Sequence, residues 1–412
     1  MLNLQEVFYQ VNIYLELLWS KMLLFRVIST SVLFDSLMIV PYLNIIIQNI
    51  TKDAIVIAIL LYLRRSIRLI LDFPSGVVSD KIGVHKVIFL AIIFKIAFLL
   101  CLLKFDKNFL FLAIIFEGIS ISLFRNKINI WQYHQLDYFN KKDDFYICNS
   151  WYNVYLYSFT LLTSFVGNFM INYDEMILYK ISIFSSIIIL LIDLSLIVYS
   201  FKFGIVVDKM KNEHNSKSVK FWYISTVNSA KYLISDKKIL SYSVTLGLCC
   251  LGWQINMMNQ FLAMEVSSKF SIHIFQYGLF AMLIGSLINL FIKNYNVKIF
   301  NKIFIIILVI ITISPLLFSK EIVVYFTGLY LIFFMTFENV LKTTISRERK
   351  NKLMLSTILS FAGTITTMFS ILLVFVYHIL GGYFGYLCGY FWIFLFMTVF
   401  ILLSYRLSNL TT

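Results

Sequence analysis

Runs of about 20 mostly apolar residues recur from Met22 to Tyr405, separated by short polar breaks, and each is long enough to cross the roughly 30 Å hydrocarbon layer of a bilayer. Apolar residues make up 60% of the 412 and charged residues 14%. A water-soluble globular chain carries roughly 45–50% and about 25%, so an ordinary soluble fold is excluded. The chain reads as mostly membrane.

Taking the apolar runs between charged or turn-forming breaks predicts twelve spans. They cover 22–46, 54–75, 87–103, 109–130, 147–171, 177–201, 239–262, 272–292, 303–319, 322–341, 353–378 and 383–405. With both termini cytoplasmic, 24 of the 35 Lys and Arg fall on the cytoplasmic side, six outside and five within spans. This division follows the positive-inside rule. The net charge of +14 is therefore read as topological rather than as a nucleic-acid surface. A multi-pass protein of the cell membrane, facing lipid as a monomer, is the expectation.

The first twenty residues carry Glu6 and Glu16 and no basic start, so residues 1–20 read as an interfacial segment rather than a secretory signal. Residues 21–201 hold six spans, 202–238 form a cytoplasmic linker with an amphipathic patch at Phe221, Trp222 and Tyr223, and 239–412 hold six more. Two six-span halves suggest a parallel repeat. The five cysteines are odd in number and lie mostly in apolar runs, which argues for packing rather than disulfides.

One break carries a pattern. Asp72-Phe73-Pro74-Ser75-Gly76 leads into Gly76-Val77-Val78-Ser79-Asp80-Lys81-Ile82-Gly83-Val84-His85-Lys86. Gly76 lets two helices approach closely, Gly83 permits a turn with unusual dihedrals, and Asp80 can accept hydrogen bonds from a neighbouring helix N-terminus. Lys81, His85 and Lys86 suit an anionic cytoplasmic face. The run resembles the signature loop of the major facilitator superfamily, and its place after the second of twelve spans is where that family carries it. The resemblance implies an all-α membrane protein of twelve helices in two six-helix halves, working as a secondary transporter. It also implies a gating role for Gly76, Asp80, Lys81, Gly83 and Lys86, with Arg125 as the basic partner of Asp80.

Three further stretches resemble the family's exporter-like branch: Pro41-Tyr42-Leu43, Tyr133-His134-Gln135-Leu136 (with His134 where that branch has Asp), and Arg347 to Ser356. The chain also departs from the pattern. Around Gly167 no Gly-x-x-x-Gly-Pro run appears, and the counterpart loop of the second half keeps Lys293 and Lys298 without its acid and glycines.

Charges inside spans are rare because each costs about 2.5–3.5 kcal/mol at the bilayer centre. Asp35, Asp72, Glu117 and Asp193 and the bases Arg64, Arg65, Arg68 and Lys95 therefore face protein or a watery cavity, in pairs. Depth puts Asp35 level with Arg64 and Arg65, and Lys95 level with Glu117, while Arg68 and Asp72 sit four apart on one helix. These are either static pairs or groups that bind a proton or a cationic substrate during transport, with Asp35 and Glu117 the candidates, both for proton coupling. In the second half Asn256 and Gln260 share a face with Trp253, as a substrate-cavity lining or as interhelical hydrogen bonds.

No Walker loop, dinucleotide fingerprint, His-Glu-x-x-His or Cys-x-x-Cys occurs, so neither a cofactor nor enzyme chemistry is expected. The leading expectation is proton-coupled export of a small, amphipathic organic solute. A nutrient uptake carrier, or a non-transporting scaffold or immunity protein of the same fold, are the alternatives.

Overall fold

The computed structural model describes residues 43–51, 54–125, 127–138, 144–170, 175–202, 231, 235–251, 255, 259, 268–292, 297–318, 320–348, 355–384, 391–399 and 401–402. The 1–20 segment, Asp35, most of the 202–238 linker, Trp253, Asn256, Gln260 and the Lys81 side chain lie outside the described residues.

The described residues are all-α. In order they form α1 (Leu43–Thr51), α2 (Ala54–Ile82), α3 (Val84–Leu102), α4 (Lys107–Phe124), α5 (Lys127–Tyr138) and α6 (Phe145–Met170). Then come α7 (Glu175–Lys202), α8 (Lys237–Cys249), α9 (Ser268–Phe291), α10 (Val297–Leu317), α11 (Lys320–Glu348) and α12 (Leu355–Phe384). Residues 391–399 are also helical. Four stretches are long and apolar enough to cross a membrane by length and composition: Val84–Leu102, Lys107–His134, His273–Phe291 and Leu355–Leu372. The chain is a multi-pass membrane protein.

Several helices outrun the apolar stretches that signal them, because hydropathy reports the hydrocarbon layer and not helix length. Thus α2 continues to Ile82 and α11 to Glu348. Pro74 sits inside α2 and lacks the N–H that the Ile70 carbonyl would accept. The adjacent Ser75 hydroxyl donates to the Asp72 carbonyl at 2.7 Å, one of the local repairs that let proline persist in a membrane helix. At the sharp corner between α2 and α3, Gly83 has φ 94, where an L side chain would be strained. Asp106 caps α4 through the N–H groups of Asn108 and Phe109.

Helix α7 divides into an apolar outer stripe and an inner packed stripe. On α7, Ile181, Phe184, Ile188, Leu191 and Ile192 are exposed while Ser182, Ser186, Leu190, Asp193 and Ile197 are buried, a separation at helical spacing. A soluble protein rarely exposes so many large apolar side chains together; here they face lipid. The N-terminal and C-terminal helices meet on two flanks, α2 against α12 and α6 against α9.

Candidate functional site

The face of α2 opposite its lipid stripe organises the site. Ile59, Ser66, Ile70 and Pro74 are exposed, so the other side of the helix presents Leu61, Arg65, Arg68, Asp72, Ser75 and Ser79 to the interior. Three clusters grow from that face.

The first is deep. Arg64 donates from Nη2 to Glu117 Oε1 of α4 at 2.8 Å, and Lys95 Nζ of α3 stands 3.8 Å from the same oxygen. Glu117 is 1% exposed, so this is a carboxylate shared between two cations away from water. Sequence depth puts Lys95 level with Glu117, as found. It also puts Arg64 level with Asp35, but the acid that Arg64 holds among the described residues is Glu117.

A second cluster bridges the two sets of helices. α4 ends at Phe124, and Arg125 leaves helical geometry at ψ 132 before α5 begins. That break turns the guanidinium inward. Arg125 Nη1 stands 3.5 Å from Asp72 Oδ2 and donates to the Gly363 carbonyl and Thr367 Oγ1 of α12, both at 3.3 Å. Thr367 in turn donates to Asp72 Oδ2 at 3.0 Å. Two sequence expectations are corrected here. Asp72 pairs across to Arg125 instead of locally with Arg68, and Arg125 is the partner of Asp72 instead of Asp80. The reason is the interruption at Arg125, which spacing along an unbroken helix does not foresee.

Asp80 belongs to the third cluster, at the end of the bundle that carries the signature loop. Its Oδ2 accepts from the backbone N–H of Thr357 at 3.0 Å and from the Thr357 hydroxyl at 2.7 Å. Thr357 lies in the first turn of α12, where N–H groups have no intrahelical partner and the helix dipole favours negative charge. The cation in whose field Asp80 sits is Lys127, fully buried, with Nζ 2.9 Å from Ser360 Oγ and 3.4 Å from Ser75 Oγ. Between them a Cβ added to Gly76 would stand 2.6 Å from Ser360 Cβ and 2.9 Å from the Ser356 carbonyl. Helices α2 and α12 therefore meet at a contact only glycine fits.

The second flank is closed by neutral groups. Asn339 of α11 donates to Ser150 Oγ at 2.6 Å and to the Tyr146 carbonyl at 3.1 Å, and Asn149 donates to Asn339 Oδ1 at 2.6 Å. Tyr146 reaches Asn289 Oδ1 of α9 at 2.9 Å. Lys127, Thr357, Ser360 and Thr367 escape the sequence reading. A hydroxyl or amide inside an apolar run gives no signal of which helix it will meet.

Of the remaining candidates, Arg65 is buried, Asp193 is fully buried on α7, which packs against α3, and Lys86 is exposed at the start of α3. Among the described residues no group of three His, Cys, Asp or Glu gathers to hold a metal.

Solved structures share this fold over nearly their whole length. A bacterial homologue of the iron transporter ferroportin, in its outward-facing state, superposes with a TM-score of 0.70 at 12% identity, over 95% of this chain and 98% of that one. The chain has the major facilitator fold. The Escherichia coli fucose:proton symporter FucP matches with a TM-score of 0.64 at 10% identity, over 93% and 97% of the two chains. The nucleoside transporter NupG matches at 0.63 and 12%, over 93% and 98%. No family model matches the sequence, and no curated protein matches it. In this fold, α2 and α12 with α6 and α9 are the flanks on which the N-terminal and C-terminal helices touch, and the contacts of Arg125, Asp80, Lys127 and Asn339 above are bonds of those flanks.

Proposed function

We propose that this chain is a secondary carrier that moves a small organic solute by alternating access, outward and coupled to protons, from a cell membrane in which both termini are cytoplasmic. The supporting observation is where the bonds between the N-terminal and C-terminal helices lie. The strongest of them, from Asp80, Lys127 and Arg125 to α12 and from Tyr146, Asn149 and Ser150 to Asn289 and Asn339, gather toward the signature-loop end. A bundle latched at one end is one of the two states that such a carrier exchanges. The halves at 21–201 and 239–412 are the proposed moving bodies, and Gly76, Asp80, Lys81, Gly83 and Lys86 their gate.

Coupling is assigned to a carboxylate near the bilayer centre, Asp35 or the buried Glu117. Desolvation drives such a group toward its neutral form and a nearby cation toward its charged form, so a state change that moves the cation changes proton affinity. Purified protein in liposomes, given a proton gradient and a mixed solute panel, is expected to accumulate solute against its gradient. The sign of the driving gradient separates export from uptake. Absence of any flux would leave the scaffold reading. Asp35→Asn is expected to abolish gradient-driven accumulation while keeping passive exchange. Undiminished proton-coupled accumulation in that variant excludes the role.

The latch makes a second prediction. Asp80→Asn keeps an oxygen for Thr357 but loses the charge that strengthens both bonds, by roughly 1–2 kcal/mol. Transport is expected to fall about tenfold, with normal membrane insertion and monodisperse elution. Wild-type transport in Asp80→Asn would sink the latch.

A further inference from the structure

Arg68 is placed unlike the other buried cations. It stands on the inner face of α2, opposite the lipid stripe, in the field of three cations, Arg125, Arg64 and Arg65, and one carboxylate, Asp72. The nearby acids are engaged elsewhere: Glu117 with Arg64 and Lys95, Asp72 with Arg125 and Thr367, Asp80 with Thr357. Asp72, one turn along, is the carboxylate closest to Arg68 in sequence, yet among the described residues no ion pair joins them. The Arg68 Nε is buried and makes no hydrogen bond, while the residue as a whole stays partly accessible from the interior. Arg64 Nε is likewise buried and without a hydrogen bond.

A guanidinium inside a membrane protein needs counter-charge or water, since leaving a charge uncompensated costs several kcal/mol. Its planar fork suits a carboxylate or phosphate, which can take two parallel N–H bonds at once. Three arginines within five residues, extended by Arg125 from the α4–α5 break, set four guanidinium groups around one interior region. A cationic or neutral solute would meet repulsion or unpaired donors there.

We propose that the solute is an organic anion, and that Arg68 binds its carboxylate or phosphate group at the inner face of α2. This rests on the carrier reading.

The test uses full-length protein in phosphatidylcholine liposomes with a matched series of benzoate, phenyl phosphate, benzamide and benzylamine. Benzoate or phenyl phosphate is expected to be transported and to raise the unfolding midpoint, and benzamide and benzylamine to do neither. Arg68→Gln is expected to weaken the anion response at least about tenfold, the loss of one charge-assisted bond pair, with Arg68→Lys retaining part of it. Because three cations, Arg125, Arg64 and Arg65, oppose Arg68 and one carboxylate, Asp72, favours it, Arg68→Gln is also expected to leave the ligand-free midpoint unchanged or raised. A merely structural arginine would lower it. Transport of benzamide or benzylamine with no anion response overturns the inference and keeps the carrier. No flux of any member overturns both. An anion response that appears only when phosphatidylglycerol replaces phosphatidylcholine assigns Arg68 to a lipid headgroup and overturns the substrate role.

Discussion

Glu117→Gln is expected to lower the stability of the protein by about 3–5 kcal/mol, the cost of stranding a buried charge when its partner is removed. The carboxylate serves two cations, Arg64 at 2.8 Å and Lys95 at 3.8 Å, and both are left in the interior without it. Glutamine keeps the size and an acceptor oxygen, so the loss isolates charge from packing. The measurement is the unfolding midpoint in detergent of the parent, Glu117→Gln, Arg64→Gln and the double variant. The double variant is expected to recover part of the loss and not all of it, since Lys95 still loses the Glu117 carboxylate. A Glu117→Gln midpoint equal to the parent's would show that the cluster does not hold the bundle together. If Glu117 also carries the coupling proton, the surviving fraction of Glu117→Gln will exchange solute passively without responding to a proton gradient.

That cluster also marks how far sequence reasoning reaches. Bilayer depth is a one-dimensional coordinate that a span assignment supplies directly, so the order of apolar runs alone places Lys95 level with Glu117. Depth does not give azimuth. Arg64 and Arg65 are equally deep but point about 100° apart around α2, and it is the packing of α2 on α4 that gives Arg64 the Glu117 carboxylate. The signature loop is legible because glycine at 76 and 83 and an acid at 80 each answer a backbone or helix-terminus demand. What the loop meets is not. Thr357 and Ser360 are short hydroxyls at the start of α12, ordinary in a membrane helix, and only tertiary contact turns them into the partners of Asp80 and Lys127. The partner of Arg125 is hidden for a related reason: a short interruption at a polar-to-apolar boundary has no hydropathy signal.

Gly76→Val is expected to have the largest effect on conformation. Even the first added carbon would stand 2.6 Å from Ser360 Cβ and 2.9 Å from the Ser356 carbonyl, and the latter is backbone that cannot swing aside. Helix α2 must then retreat from α12. The bonds that retreat breaks are those from Lys127 to Ser360, from Thr357 to Asp80 and from Arg125 to Thr367. At about 1 kcal/mol each, three lost bonds shift the equilibrium between closed and open signature-loop ends by roughly a hundredfold. Transport should stop, because a carrier that cannot close one end cannot alternate, while membrane insertion is unaffected. The direct readout is a distance between spin labels at Lys86 and Arg347, both exposed at that end of the helices α3 and α11, in a background whose native cysteines are replaced by serine. The distribution is expected to lengthen by on the order of 5 Å in Gly76→Val, as helix displacements of about one turn do, with Gly76→Ala intermediate. An unchanged distance in a variant that no longer transports would mean that Gly76 serves packing alone, and the gate would have to be sought on the flank held by Asn149 and Asn339.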